Sequence, residues 1–237
     1  MKNLIAVGCA LALIGVSANA NAATVIAVNG DSGSSGGGLA LAYEYGTDSN
    51  TFLLAVGWQN TLSFSDVTIS AQIASNNPVG STGHAFLTTR LGTGTTLADQ
   101  VAATSFVLPA FTGTFSGQLT LFTGLNLSAG TPYFLTVAAD SGYTAGWNYT
   151  QSPTITSDDP GTTTLGYYVF VHDFHPGPGP AAYTPASAFI GPNGGGAAPI
   201  YAVTGNVVPE PSAVALLGIG LGLTLISRRF SNFRGRH

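Results

Sequence analysis

His172-Asp173-Phe174-His175 is the one segment in which several metal-ligating residue types lie close together in the sequence. Two imidazoles and a carboxylate within four residues could bind a transition metal, with the distant His84 as a further ligand. No His-Glu-x-x-His helix or cysteine cluster accompanies the segment, and the Pro-Gly repeat at 175–180 is typical of a loop. We therefore favour a strand end that runs into a loop, and predict no metal site unless His84, His172 and Asp173 converge.

Asp158-Asp159-Pro160-Gly161 could supply carboxylate oxygens to a calcium ion. The spacing matches no EF-hand loop, and the same four residues form a common turn sequence. Catalysis has less support still, because no Gly-x-Ser-x-Gly elbow is visible outside the glycine-serine run at 33–38, which we interpret as a flexible connector. The chain also has no lysine beyond Lys2 and no assignable pair of carboxylates. The sequence therefore predicts a turn at 158–161, no cofactor and no enzyme activity.

Trp58 and Trp147, together with Tyr143 and Tyr149, raise a different hypothesis. Aromatic faces on a β-domain can stack on sugar rings, which would make the protein a glycan-binding module. The alternative is that these large side chains fill the core. We favour the core interpretation because both tryptophans lie within predicted strands, and the glycan contact remains the alternative.

The distribution of charge excludes one class of partner. Between residues 23 and 208 the chain has nine acidic residues and a single basic residue, Arg90, so this span has a formal charge of −8. Such a surface cannot gather phosphates, and we therefore expect no binding to nucleic acid.

The elements that must position these residues are β-strands. Charged residues make up only 7% of the chain and glycine is abundant, which disfavours long amphipathic helices and favours short strands joined by turns. In residues 65–75 the apolar Val67, Ile69, Ala71 and Ile73 alternate with polar residues, as in a half-buried strand. Residues 119–127 and 131–139 form two further strands, which we expect to be antiparallel neighbours around a turn at 128–130.

The other candidate strands are 25–28, 40–45, 52–58, 84–91, 101–108, 146–150, 167–171 and 200–207. About ten short strands separated by turn residues predict an all-β domain. We expect an antiparallel β-sandwich that resembles a jelly roll.

The amino-terminal segment has the three parts of a secretory signal peptide. Lys2 gives a positive start, residues 4–16 are apolar, and alanines at 18, 20 and 22 provide small-residue cleavage sites. We place the cleavage after Ala22, with Ala20 as the alternative. The single cysteine, Cys9, lies in this segment, so the mature domain would contain no thiol.

The carboxyl-terminal segment has the features of a short membrane anchor. Pro209-Glu210-Pro211 precedes fourteen uncharged residues at 213–226, and Arg228 and Arg229 follow them. A helix of that length is about 21 Å long, so it spans the hydrocarbon core only with its flanks or by thinning the bilayer. The arginines favour the cytoplasmic side, which leaves the β-domain outside.

This combination of a Pro-Glu-Pro motif, a brief apolar segment and a terminal arginine cluster resembles the sorting signal of PEP-CTERM proteins. The resemblance implies that an exosortase, a membrane enzyme of Gram-negative bacteria, recognises Pro209, Glu210 and Pro211 and processes the chain there. A plain membrane anchor would give the same topology but leaves the Pro-Glu-Pro motif unexplained. The terminal arginines argue against a glycolipid-anchor signal, and the Leu-Pro-x-Thr-Gly motif of sortase substrates is absent.

Residues 66–71, 83–89, 119–137 and 146–148 also resemble the β-rich ectodomains of PEP-CTERM proteins, which mostly have no assigned activity. We therefore expect a signal peptide at 1–22, an ectodomain at 23–207 and a sorting signal at 208–237, with an arginine-rich tail at 227–237. The resemblance implies a non-catalytic protein that is held in the inner membrane and then moved to the cell surface or biofilm matrix. Its implied partners are an exosortase-type enzyme and exopolysaccharide.

Overall fold

The computed structural model describes residues 22–30, 38–40, 50–75, 82–91, 95–113, 115, 117–139, 145–173, 188–190 and 198–209 of the 237-residue chain. Several of the residues singled out above lie outside this part: Ala20, Tyr143, His175, Glu210, Pro211, Arg228, Arg229 and the predicted membrane segment 213–226.

The described residues form β-strands and one short 3-10 turn at Leu97–Asp99, with no α-helix among them. The strands are β1 (Ala22–Asn29), β2 (Gly38–Ala40), β3 (Asn50–Gln59), β4 (Phe64–Ala71), β5 (Ile73–Ser75), β6 (Thr82–Thr88), β7 (Gln100–Val107), β8 (Leu119–Leu127), β9 (Pro132–Ala139), β10 (Ala145–Thr150), β11 (Thr154–Thr156), β12 (Thr163–Asp173), β13 (Ala188–Ile190), β14 (Ala198–Pro199) and β15 (Tyr201–Val207). The all-β prediction is therefore confirmed for this part of the chain.

The strands form two large sheets and one small one, and all pairs between them are antiparallel. The five-stranded sheet has the order β11-β1-β15-β4-β8, and the six-stranded sheet has the order β13-β12-β3-β9-β6-β7. In the small sheet, β10 pairs with β14, β2 and β5.

One hydrophobic core draws buried residues from both large sheets. Val67, Ile69 and Val203 enter it from the five-stranded sheet, and Leu135 and Val137 enter it from the six-stranded sheet; all five are completely buried. Buried residues alternate with more exposed ones along β4, as the sequence predicts. A core shared by two antiparallel sheets is consistent with a β-sandwich.

The strand predicted for residues 65–75 is interrupted at Gln72. The N–H of Gln72 donates to the carbonyl of Ile200, and its own carbonyl accepts the N–H of Asn148. These bonds to neighbouring segments turn the chain out of the five-stranded sheet, so Ile73–Ser75 pairs with β10 instead. Ile73 is nevertheless buried, as its place in the alternation predicts.

The prediction that 119–127 and 131–139 are paired neighbours is wrong. β8 pairs with β4 in the five-stranded sheet, whereas β9 lies between β3 and β6 in the other sheet. The predicted turn is present, but it carries the chain from one sheet to the other. The N–H of Gly130 donates to the carbonyl of Asn60, and the N–H of Ala129 donates to Ser63 Oγ. The loop after β3 therefore holds this crossing in place.

Candidate functional site

The predicted sorting motif follows directly from the last strand of the domain. β15 is a central strand, paired with β1 on one side and β4 on the other. Immediately after it, the N–H of Val208 donates to the carbonyl of Ser63 over 2.8 Å. Pro209 is the last described residue and is exposed. Backbone pairing therefore fixes the chain up to Val208, immediately before the predicted motif.

The predicted signal-peptide boundary lies beside this exit. Ala22 is the first residue of β1, is exposed, and pairs with Asn206 of β15. The next residue, Ala23, pairs with Gly205. Because β1 and β15 are antiparallel, both ends of the ectodomain predicted from the sequence lie at the same end of the sheet.

A buried carboxylate, Asp159, organises the loops at this end. Its Oδ2 accepts the backbone N–H groups of Thr61 over 2.7 Å and of Leu62 over 3.0 Å. Its Oδ1 accepts the Thr61 hydroxyl over 2.5 Å and the N–H of Gly161 over 3.1 Å. Four donors therefore saturate the two carboxylate oxygens, and the side chain is 1% exposed.

These contacts explain the charge state of Asp159. Burial alone would raise its pKa, but the hydrogen bonds from Thr61 and Leu62 to the charged form more than offset that effect and lower the pKa to about 2. The group is therefore ionised at neutral pH. A carboxylate with this pKa is a poor general acid or base.

The rest of the 157–161 turn fastens the first strand. Asp158 Oδ2 accepts the N–H of Thr24 over 2.7 Å, and the N–H of Asp158 donates to the Thr24 carbonyl over 2.8 Å. Ser157 Oγ donates to the carbonyl of Val25. The predicted turn is present, and both carboxylate oxygens of Asp159, which the calcium alternative would use, accept hydrogen bonds from their own chain.

We call this set of contacts the exit cluster: Thr24, Thr61, Leu62, Ser63, Asp158, Asp159 and Val208. Asp159 accepts a hydrogen bond from the N–H of Leu62, and the carbonyl of the neighbouring Ser63 accepts one from the N–H of Val208. Asp158 in turn accepts a hydrogen bond from the N–H of Thr24. The cluster thus holds the loop at 61–63 and the ends of β1 and β15 together. Sequence reasoning missed this role of Asp159, because only the fold brings residues 61–63 next to 158–159.

Both tryptophans lie in the core and not on a binding face. Trp58 is 0% exposed, with its ring 6.0 Å from those of Tyr133 and Tyr201. Trp147 is also 0% exposed, and its indole N–H donates to the carbonyl of Ile200 over 2.9 Å. A sugar ring cannot reach either indole face, so the glycan contact considered for Trp58 and Trp147 is corrected to a structural role.

His84, His172 and Asp173, whose convergence would have indicated a metal site, do not lie together. His84 lies on β6 and His172 and Asp173 lie on β12, and the two strands are separated by β9 and β3. Three strand spacings correspond to about 14 Å, which is too far for a shared metal ion. The described residues contain no group of three or more metal-ligating side chains. His84 Nδ1 instead lies 2.9 Å from Ser105 Oγ, its cross-strand partner on β7.

Neither the protein-family models nor the curated proteins give a match to this chain. Within the described residues, no helix is long and apolar enough to cross a membrane, and the segment for which a crossing is predicted lies outside them.

Proposed function

We propose that this chain is an exported bacterial protein of the cell envelope or extracellular matrix, sorted by its carboxyl-terminal Pro-Glu-Pro signal. In this proposal it belongs with the PEP-CTERM proteins and has a structural or interaction role without catalysis. An exosortase-type enzyme processes the tail while the inner membrane holds it. The processed ectodomain then reaches the cell surface or an exopolysaccharide matrix.

One observation carries the proposal: the described β-domain is flanked closely by the two predicted processing sites. β1 begins at Ala22, the predicted cleavage residue, and β15 ends at Val207, two residues before Pro209. Cleavage after Ala22 would leave Ala23 in its pairing with Gly205. Both processing events would therefore leave the fold intact, which is what maturation of an exported domain requires.

The exit cluster also limits how far the tail extends from the domain. Val208 is the last residue with a described backbone bond to the fold, and the predicted membrane segment starts at residue 213. Five residues span at most about 18 Å when fully extended. A domain on so short a connection lies close to the membrane surface, and the sorting enzyme has to work next to the folded protein.

We also propose that the ectodomain is a sandwich of the jelly-roll kind, and the strand orders support this. Eight strands divide into β1-β15-β4-β8 and β3-β9-β6-β7, and the chain passes repeatedly from one set to the other. In this scheme β10 to β14 are an insertion between the last two jelly-roll strands. The saturated hydrogen bonding of Asp159 supports a structural role for the one buried carboxylate among the described residues.

The proposal is tested by the intact mass of the mature protein from its native host, with and without Glu210→Ala. We expect the native protein to begin near residue 23 and to end near 209–212, with or without an added group, and the variant to keep its tail. Glu44→Ala removes the only other glutamate and serves as the matched control, which should mature normally. If the native protein and both variants retain every residue to His237, the tail is a plain anchor and the proposal fails.

A further inference from the structure

The four outer edges of the two large sheets differ in how well they are protected. Unpaired strand edges are templates for association, and proteins usually protect them with short strands, irregular register, charge or proline. β11 and β13 are only three residues long. β8 is long, but its pairing with β4 contains three register shifts. β7 is the remaining edge.

β7 has almost none of these protections. Its eight residues contain no charge and no proline, and its pairing with β6 is regular except for one shift at its first residues. Every second side chain along it is exposed, including Val101 at 38% and Val107 at 65%. Among the described strands β7 pairs with β6 alone, so its second edge has no partner there.

The electrostatics of the domain favour a second copy at this edge. The span 23–208 has a formal charge of −8, so two copies repel each other over most of their surface. Residues 100–139, which include β7, β8 and β9, contain no charged residue at all. The β7 edge is therefore a place where two identical acidic domains can approach without bringing carboxylates together.

The sequence of β7 is also compatible with pairing to itself. Antiparallel pairing about a two-fold axis at Thr104 brings the exposed Val101 opposite Val107 of the second copy, and Ala103 opposite Ser105. This register keeps exposed side chains on the same face in both copies, which a shift by one residue would not do. It also places Thr104 opposite its own counterpart, a favourable cross-strand pair.

We propose that the β7 edge is a homodimer interface, in which two copies of this chain join their six-stranded sheets through antiparallel β7–β7 pairing centred on Thr104. The partner is a second copy of the same protein, and backbone hydrogen bonds supply most of the contact, as in β-strand addition. The inference does not depend on the proposed sorting function.

Disulfide trapping of the purified full chain in a Cys9→Ser background tests the pairing. Directly opposed residues in antiparallel strands have Cα atoms about 4.5–5.5 Å apart, within the range that a disulfide bridges. Thr104→Cys should therefore give a covalent dimer under mild oxidation. Thr154→Cys on the edge strand β11 is the control at a different sheet edge and should remain monomeric; its side chain is exposed, whereas that of Thr104 is half-buried.

A second measurement does not rely on cysteine. Thr104→Lys brings two positive charges face to face at the axis, so sedimentation velocity should show dimers of the native chain and monomers of the variant, whereas Thr154→Lys should dimerise normally. Circular dichroism checks that both variants are folded. Equal crosslinking of Thr104→Cys and Thr154→Cys, or a native chain that is monomeric up to about 100 μM, overturns the proposal; interfaces of this small size belong to weak complexes.

Discussion

Replacing Asp159 with Asn keeps the shape of the side chain but changes what it can accept. The carboxylate receives four hydrogen bonds, two at each oxygen. An amide retains one acceptor oxygen and turns its NH2 group toward two of the donors, so two bonds are lost in a buried position. Hydrogen bonds to charged groups contribute about 1.5–3 kcal/mol each, and partial relaxation of the loop gives an expected loss of about 3 kcal/mol. For a domain of this size that corresponds to a fall in Tm of about 10 °C.

The same residue gives a pH signature that a general packing defect would not produce. The pKa of Asp159 falls from its ordinary 3.8 to about 2 on folding. A lowered folded-state pKa stabilises the protein above the unfolded-state pKa, and this contribution is lost as the pH falls through the folded-state value. It amounts to about 2 kcal/mol, lost between about pH 4 and pH 2. Asp159→Asn should lack this part of the acid dependence.

Thermal unfolding followed by near-ultraviolet circular dichroism, repeated from pH 7 to pH 2, measures both effects. Asp158→Asn is the matched control, because Asp158 is exposed and its side chain has one described bond, which an amide oxygen can still accept. The control should lose less than about 1 kcal/mol, in line with other surface substitutions. The reasoning is refuted if the two variants have the same Tm at pH 7, or if Asp159→Asn keeps the acid dependence of the native protein.

Three further outcomes are expected. Tryptophan emission should be blue-shifted, resistant to iodide quenching and unaffected by added polysaccharide, because both indoles are completely buried; strong quenching by iodide would contradict this. Trp147→Phe should lower the free energy of unfolding by about 1 kcal/mol more than Trp58→Phe, because only the Trp147 N–H donates to a described carbonyl. Equal losses of stability in chemical denaturation would contradict this expectation. Gly205→Ala should lower the free energy of unfolding by about 1–3 kcal/mol, since its new Cβ would lie 2.7 Å from Val67 Cγ2. An unchanged denaturation midpoint would show instead that β15 shifts to make room for the methyl group.

The sequence predicts most of the strands, because their signal is local. Alternation of apolar and polar residues correctly assigns Val67, Ile69, Ala71 and Ile73 to the buried side, and the turn at 128–130 follows from its small residues. Pairing partners depend on distant segments and have no local signal. Residues 119–127 and 131–139 look like a hairpin, yet the loop after β3 binds the turn between them and directs β9 into the other sheet. The alternation of apolar and polar residues continues past Gln72, yet the strand ends there. The backbone groups of Gln72 form hydrogen bonds with Ile200 and Asn148, which are distant in the sequence.

The candidate site shows the same division between local and distant information. Asp158-Asp159-Pro160-Gly161 is recognisable as a turn, since its residue types favour one by themselves. That Asp159 is buried and pairs with Thr61 and Leu62 depends on contacts across about one hundred residues of sequence. Burial also decides between the two interpretations of Trp58 and Trp147, which composition alone leaves open.

The exit cluster and the β7 edge occupy parts of the fold that do not interfere with each other. In the sequence the tail follows β15, a central strand of the five-stranded sheet, whereas β7 forms a lateral edge of the six-stranded sheet. A domain tethered by its tail as proposed would therefore keep its β7 edge accessible. Tethering also confines the copies to one surface, which raises their effective concentration and favours pairing that is weak in solution. Removal of the tail should then weaken dimerisation in cells without changing the sedimentation of the purified ectodomain, and the opposite result would place the interface in the tail and not on β7.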